Sequence, residues 1–185
     1  PATDTPMVAL LSNGRLSSLV SGTGAGPLWL NDIAITRWRP DPTVDTGGSF
    51  LFLRDLASND WWSATTTPRA AQGETARAVF SDHKAEFAKS AHGIDSLMEV
   101  IVATEAMGEG RRLSLRNTTT RSRTIEVTSY GEIVLDRADA DIAHPAFSKM
   151  FVKTAIRDDG RTITAFRNPR AAGDRVVHMA HLLAG

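Results

Sequence analysis

Apolar and polar residues alternate over short runs along this chain, and clusters of Gly, Asn, Asp and Pro separate the runs. A period of two marks strands with one buried face, so the pattern predicts a mostly β protein. Residues 7–11 and 15–20 flank Ser12-Asn13-Gly14, and Asn-Gly tolerates the positive φ angles of a tight hairpin turn. The Gly-rich residues 22–26 lead through Pro27 into a strand over 33–38. A long loop, 39–49, precedes strands over 50–56 and 61–65, joined by the turn Ala57-Ser58-Asn59-Asp60.

Residues 66–75 are polar and read as a loop, followed by strands over 78–81, 85–89 and 94–103, with His92-Gly93 as the turn before the last. Met98, Val100 and Val102 share one face of that strand and Glu99 lies on the other. Residues 112–116 and 124–135 read as a further hairpin through the connector 117–123. Strands over 150–156 and 162–166 sit either side of Asp158-Asp159-Gly160, and 176–183 is a final strand still running where the sequence stops. About a dozen short strands separated by turns predict one all-β domain over residues 1–185, a large antiparallel two-sheet sandwich rather than alternating α and β units.

Composition narrows the chemistry. The 185 residues carry 21 basic and 21 acidic side chains and no cysteine. Without cysteine, disulfide frameworks and thiolate zinc sites are excluded. Balanced charge gives no field that draws in phosphate backbones, so nucleic-acid partners are not expected. Apolar stretches such as 50–53 fall far short of the roughly 20 residues that span a bilayer, so no membrane contact by this segment is expected. Residues 1–6 lack the basic and apolar regions of a secretory signal. The start without Met suggests an excised piece of a longer protein.

Candidate sites are few. Gly22-Thr23-Gly24-Ala25-Gly26 has the glycines of a phosphate cradle, but Pro27 and a strand follow where a helix would be needed, leaving a flexible connection. His178 and His181 on a strand point to opposite faces and would share a metal only on a helix. Asp136, Asp139 and Asp141 form an acidic stretch without the spacing of a calcium loop, and a solvated loop is the simpler reading. No Gly-x-Ser-x-Gly elbow occurs. Asp41, Asp45, Asp55, Glu99 and Glu132 cannot be paired for glycoside chemistry by spacing, because such carboxylates meet only in space. Trp29, Trp38, Trp61 and Trp62 lie near Asn31, Asp32, Arg37 and Arg39, a composition suited either to a sugar platform or to a sandwich core.

The ordered blocks 30–41, 45–55 and Trp62-Ser63 carry a resemblance, containing Thr36-Arg37-Trp38-Arg39 and Asp45-Thr46-Gly47-Gly48. Ala85-Glu86-Phe87, residues 124–135 and residues 143–151 extend it, so that it covers nearly the whole chain. Together they resemble the N-terminal β-sandwich of the inverting glycoside phosphorylases, in the version found in cyclic β-1,2-glucan synthases.

The resemblance implies a supersandwich packed on an (α/α)6 barrel that holds the catalytic acid and is not part of this chain. It therefore implies a fragment of a multidomain enzyme, inactive alone, with no cofactor beyond inorganic phosphate as the parent's co-substrate. The family sandwich is longer, so the fold is expected to be truncated at its C-terminus, with open edges inviting a homodimer. It also implies a β-glucan oligosaccharide partner and a cytoplasmic location, in a parent anchored in the inner membrane. Two loops are expected to approach the saccharide: Arg37, Trp38 and Arg39 on one, His144, Phe147 and Lys149 on the other. Against this stands pairing of Arg37 and Arg39 with Asp41, Asp45 or Asp55 merely to fix the loop. The alternatives for the whole chain are a free-standing carbohydrate-binding module and a purely structural interaction domain.

Overall fold

The computed structural model describes residues 7–39, 47–169, 173–174 and 176–184. Among them fifteen strands and two short helices follow in order: β1 (Val8–Ser12), β2 (Leu16–Ser21), β3 (Leu28–Leu30), β4 (Ile33–Thr36), β5 (Ser49–Asp55), β6 (Trp61–Ser63), β7 (Thr75–Phe80), β8 (Ala85–Ala91), β9 (Ile94–Val102), β10 (Glu109–Asn117), β11 (Ile125–Gly131), β12 (Ile133–Arg137), α1 (Ala138–Ala143), α2 (Pro145–Lys149), β13 (Val152–Ile156), β14 (Thr162–Arg167) and β15 (His178–Leu182). The protein is mostly β and its paired strands are antiparallel, as the alternation predicts. The strands hydrogen-bond in four sheets, ordered β1-β2-β3-β4-β12, β10-β9-β8-β7, β11-β5-β6 and β13-β14-β15.

The main core forms where the buried faces of three sheets meet. Leu11 and Val20 come from the first sheet, Phe87, Met98 and Val100 from the second, and Leu53 and Trp62 from the third. Burying side chains of this size stabilises the fold by about 1.5–3 kcal/mol each. Polar links lock the layers. Ser18 donates to Glu109 at 2.5 Å. The Lys89 ammonium, on the apolar face of β8, is satisfied by the Ser63 and Thr65 carbonyls at 2.9 and 2.8 Å and by Glu74 at 2.7 Å. A smaller cluster of Ile35, Leu135 and Ala165 joins the first sheet to the β13-β14-β15 sheet.

The turns follow their residues. His92-Gly93, with φ of 52° and 76°, makes the two-residue β8–β9 hairpin. Asp159 caps the β13–β14 turn by accepting from the backbone of Arg161 and Thr162 at 2.8 and 2.9 Å.

Other local readings are corrected by long-range packing. Residues 22–26 are no flexible connection: Ala25 is fully buried, and a Cβ on Gly26 would lie 1.8 Å from the Leu19 carbonyl. β10 pairs with β9, and β11 with β5, so the hairpin expected between β10 and the strand after it does not form. The Arg123 side chain turns the connector aside by reaching Asp55 at 2.7 Å and the His92 carbonyl at 3.0 Å. The long strand expected over 124–135 leaves one sheet at Gly131 and enters another at Ile133, where it pairs with β4. The acidic stretch is not a solvated loop but opens helix α1, with Asp141 buried and Asp136 paired to Arg167 at 2.8 Å. The segment around His144 is likewise helical, because Pro145 at the first turn of α2 fits helical φ and needs no N–H partner.

Candidate functional site

The end of β4, the β11–β12 junction and the two helices meet at one point, and Arg37 holds them together. Its backbone N–H donates to the Glu132 carbonyl at 2.8 Å, and its own carbonyl accepts from Gly48 at 3.0 Å. Its guanidinium grips Asp141 of α1 at 2.7 and 2.5 Å, reaches Glu132 at 2.8 Å, and touches the Pro145 carbonyl at 3.4 Å. A planar fork with five donors suits such a joint.

Beside this joint opens a groove of about 900 Å³. Trp38, Phe52 and Tyr130 form its aromatic walls, and Arg39, Glu132 and Lys149 supply charge. Gly47 lets Trp38 take its place, since a Cβ there would lie 3.0 Å from both the Cα and Cδ1 of Trp38. Phe52 meets Tyr130 edge-on at 6.3 Å and Trp61 at 5.7 Å, which fixes the wall behind Tyr130.

Electrostatics set the protonation states. Burial pushes the Glu132 carboxyl up, but Lys149 and Arg37 outweigh it and hold Glu132 below the usual carboxylate range. Burial likewise raises Asp141, and the Arg37 hydrogen bonds overcome it, leaving Asp141 depressed. The hydrogen bond to Asp141 in turn raises Arg37. Burial, and then the negative charge of Glu132, push the Tyr130 phenol up. At neutral pH Glu132 is therefore an ionised acceptor and Tyr130 a neutral donor. Glu132 is the one carboxylate among the described lining residues, and its charge is neutralised by two cations. With Arg37, Arg39 and Lys149 as donors, Glu132 as acceptor and aromatic faces beside them, the arrangement can hydrogen-bond and stack a molecule rich in hydroxyl groups. Among the described residues no group of three or more His, Asp or Glu is placed to hold a metal ion, and no helix is long and apolar enough to cross a membrane.

Of the residues singled out in the sequence, Arg37, Trp38, Arg39 and Lys149 line the groove. The others do not. His144 joins the two helices and its carbonyl accepts from Ser148 at 2.8 Å, while Phe147 packs edge-on against Phe151 at 5.0 Å. Arg37 does pair with carboxylates, but with Glu132 and Asp141 rather than neighbours in sequence. Asp55 pairs with Arg123, and Asp41 and Asp45 lie outside the described residues. The four tryptophans divide. Trp62 is fully buried in the core, Trp29 is half-buried on β3, and the ring of Trp61 is covered by Arg69 at 4.1 Å. Trp38 alone of the four reaches the groove. Phe52 and Tyr130 escaped the sequence reading, although the spacing Tyr130-Gly131-Glu132 puts both polar ends on one side of the chain.

Comparison with known proteins decides the family. The model of the glycosyl hydrolase 94 supersandwich domain matches residues 1–185. The chain belongs to this family. It is 51% identical over 174 residues to the cyclic beta-(1,2)-glucan synthase NdvB of Rhizobium meliloti, a match covering 94% of the chain and 6% of that protein. It is 24% identical over 163 residues to the N,N'-diacetylchitobiose phosphorylase of Vibrio proteolyticus, covering 85% of the chain and 20% of that protein. The chain thus spans a small part of each relative's length. The supersandwich expected from the ordered sequence blocks is the family found.

Proposed function

We propose that this supersandwich is a non-catalytic wall of a saccharide site, in a β-glucan phosphorylase or cyclic β-1,2-glucan synthase whose (α/α)6 barrel completes the site. The observation that carries the reading is the groove itself. Two segments more than a hundred residues apart, one with Arg37, Trp38 and Arg39 and one with Lys149, line a single cleft whose surfaces are aromatic and hydrogen-bonding. Sugars present an apolar C–H face and a rim of hydroxyls, and those are what an indole and a set of charged donors and acceptors recognise.

The relatives' names supply the substrate class, a glucan or a related oligosaccharide. Bond making and breaking falls to the barrel, where phosphate attacks the anomeric carbon as a general acid protonates the leaving oxygen. The groove's own carboxylate is held ionised and paired, which suits a binding group and not a proton donor. Such a parent works on the cytoplasmic side of the membrane.

Kinetics of the full-length parent test this. Trp38→Ala and Lys149→Ala are each expected to raise KM for linear β-1,2-glucan about tenfold, the equivalent of one good contact, with kcat nearly unchanged. Unchanged KM in both variants would mean that the domain is a scaffold only.

A further inference from the structure

The carboxylates of this protein differ in how completely they are enclosed. The side chains of Asp55, Asp141, Glu109 and Glu99 retain 1%, 6%, 8% and 11% exposure, and each is spent on arginine: Arg123, Arg37, Arg111 and Arg112 respectively. Glu132 is different. Its side chain is 36% exposed and lines the groove.

The two oxygens of Glu132 are unequally engaged. Oε2 receives Arg37 at 2.8 Å, the length of a charge-assisted bond. Oε1 receives the Tyr130 hydroxyl and the Lys149 ammonium only at 3.3 and 3.4 Å. A carboxylate offers about four lone-pair sites, so Oε1 has room for a shorter partner. Lys149 has three N–H donors, and among the described residues its ammonium makes one side-chain bond, the long one to Glu132. An under-used acceptor and an under-used donor therefore lie side by side on the groove wall, next to the aromatic surfaces of Trp38 and Tyr130.

We infer that Glu132 and Lys149 together recognise a pair of adjacent sugar hydroxyls, one donating to Oε1 of Glu132 and its neighbour accepting from Nζ of Lys149. This rests on the saccharide-wall reading above and adds the contact that orients the sugar ring in it. Arg37 is the positioning residue. By holding Oε2 and the Glu132 backbone at once, it fixes the direction in which Oε1 points. Tyr130 supports the same oxygen from the side.

The test uses the full-length parent with linear β-1,2-glucan as the probe. Glu132→Gln removes the charge while keeping the shape, and Arg37 keeps its grip on Asp141, so the joint retains a partner. It is expected to raise KM about tenfold, the loss of one charge-assisted hydrogen bond, with kcat altered less than about twofold. Glu132→Asp keeps the charge but withdraws the carboxylate by one methylene, and is expected to raise KM severalfold; it decides the matter if the Gln variant does not fold. Unchanged KM in the Glu132 variants, with Trp38→Ala still raising it, would overturn the hydroxyl-pair assignment and leave the groove reading standing. Unchanged KM in all three would overturn both. A fall in kcat at constant KM would overturn the binding role by placing Glu132 in the chemistry.

Discussion

Arg37 and Asp141, 104 residues apart, form a two-pronged pair at 2.7 and 2.5 Å that fastens helix α1 to the end of β4. Both side chains are almost enclosed, at 11% and 6% exposure. Removing Asp141 leaves the buried Arg37 with Glu132 as its remaining carboxylate and with its two shortest bonds lost, so its charge is only partly compensated. Asp141→Asn is expected to destabilise the fold by about 2 kcal/mol, the scale of one or two hydrogen bonds to a charged group. A chemical-denaturation midpoint that does not move would show that α1 is held by its apolar contacts alone.

The same pairs set the response to acid. Glu132, Asp141, Asp55 and Glu99 are all held below the usual carboxylate range. For Asp55 the first cause is the Ala57 backbone N–H, and for Glu99 it is Arg112. A depressed carboxylate binds its proton more readily in the unfolded chain, so its stabilisation is full above the ordinary carboxylate range and is lost as pH falls through the folded value. Stability limited by these groups is expected to be level from about pH 5 to 8 and to fall below about pH 4. Asp55→Asn should make that acid slope shallower. An Asp55→Asn protein with the wild-type slope would remove the Arg123 pair from this account.

Much of the fold was legible because strands announce themselves locally. Alternation located β1, β2, β4, β5, β8, β9, β13 and β14, and Gly14, Gly93 and Gly160 marked turns between them. What alternation lacks is the identity of the partner. Nothing near Leu115 or Val127 says that β10 belongs to β9 and β11 to β5; that is set by the whole core. β3, only three residues long, gives no period to read. The helices were hidden for a similar reason. α1 is six residues rich in Asp, stabilised less by propensity than by Arg37 reaching one of those aspartates. The site shows the same division. Of the groove lining, Arg37, Trp38, Arg39 and Lys149 were singled out through ordered motifs, whereas Phe52 and Tyr130 join them only through the register of β5 against β11.

Close backbone approach makes a sharp contrast between two glycines. Gly26 has φ of 149° and donates to the Gly47 carbonyl at 3.0 Å, and a Cβ on it would strike the Leu19 carbonyl. The obstacle is backbone and cannot rotate away. Gly26→Ala is expected to cost about 3 kcal/mol or more and to disturb the groove through Gly47. Gly14, at φ of 87° with nothing within 4 Å, pays only for its conformation, so Gly14→Ala should cost about 1 kcal/mol. Equal thermal shifts for the two variants would mean that the sheet opens at Gly26 more easily than its packing indicates.

The groove reading is tested most directly at the Trp38 ring, without recourse to activity. The full-length parent would be labelled with 5-fluorotryptophan, the Trp38 fluorine signal assigned by its loss in Trp38→Phe, and linear β-1,2-glucan titrated in. A saccharide lying on the wall beside Trp38 predicts that this signal moves with glucan and saturates, while that of the buried Trp62 stays still. A Trp38 signal that does not move at glucan concentrations that saturate turnover would contradict the account.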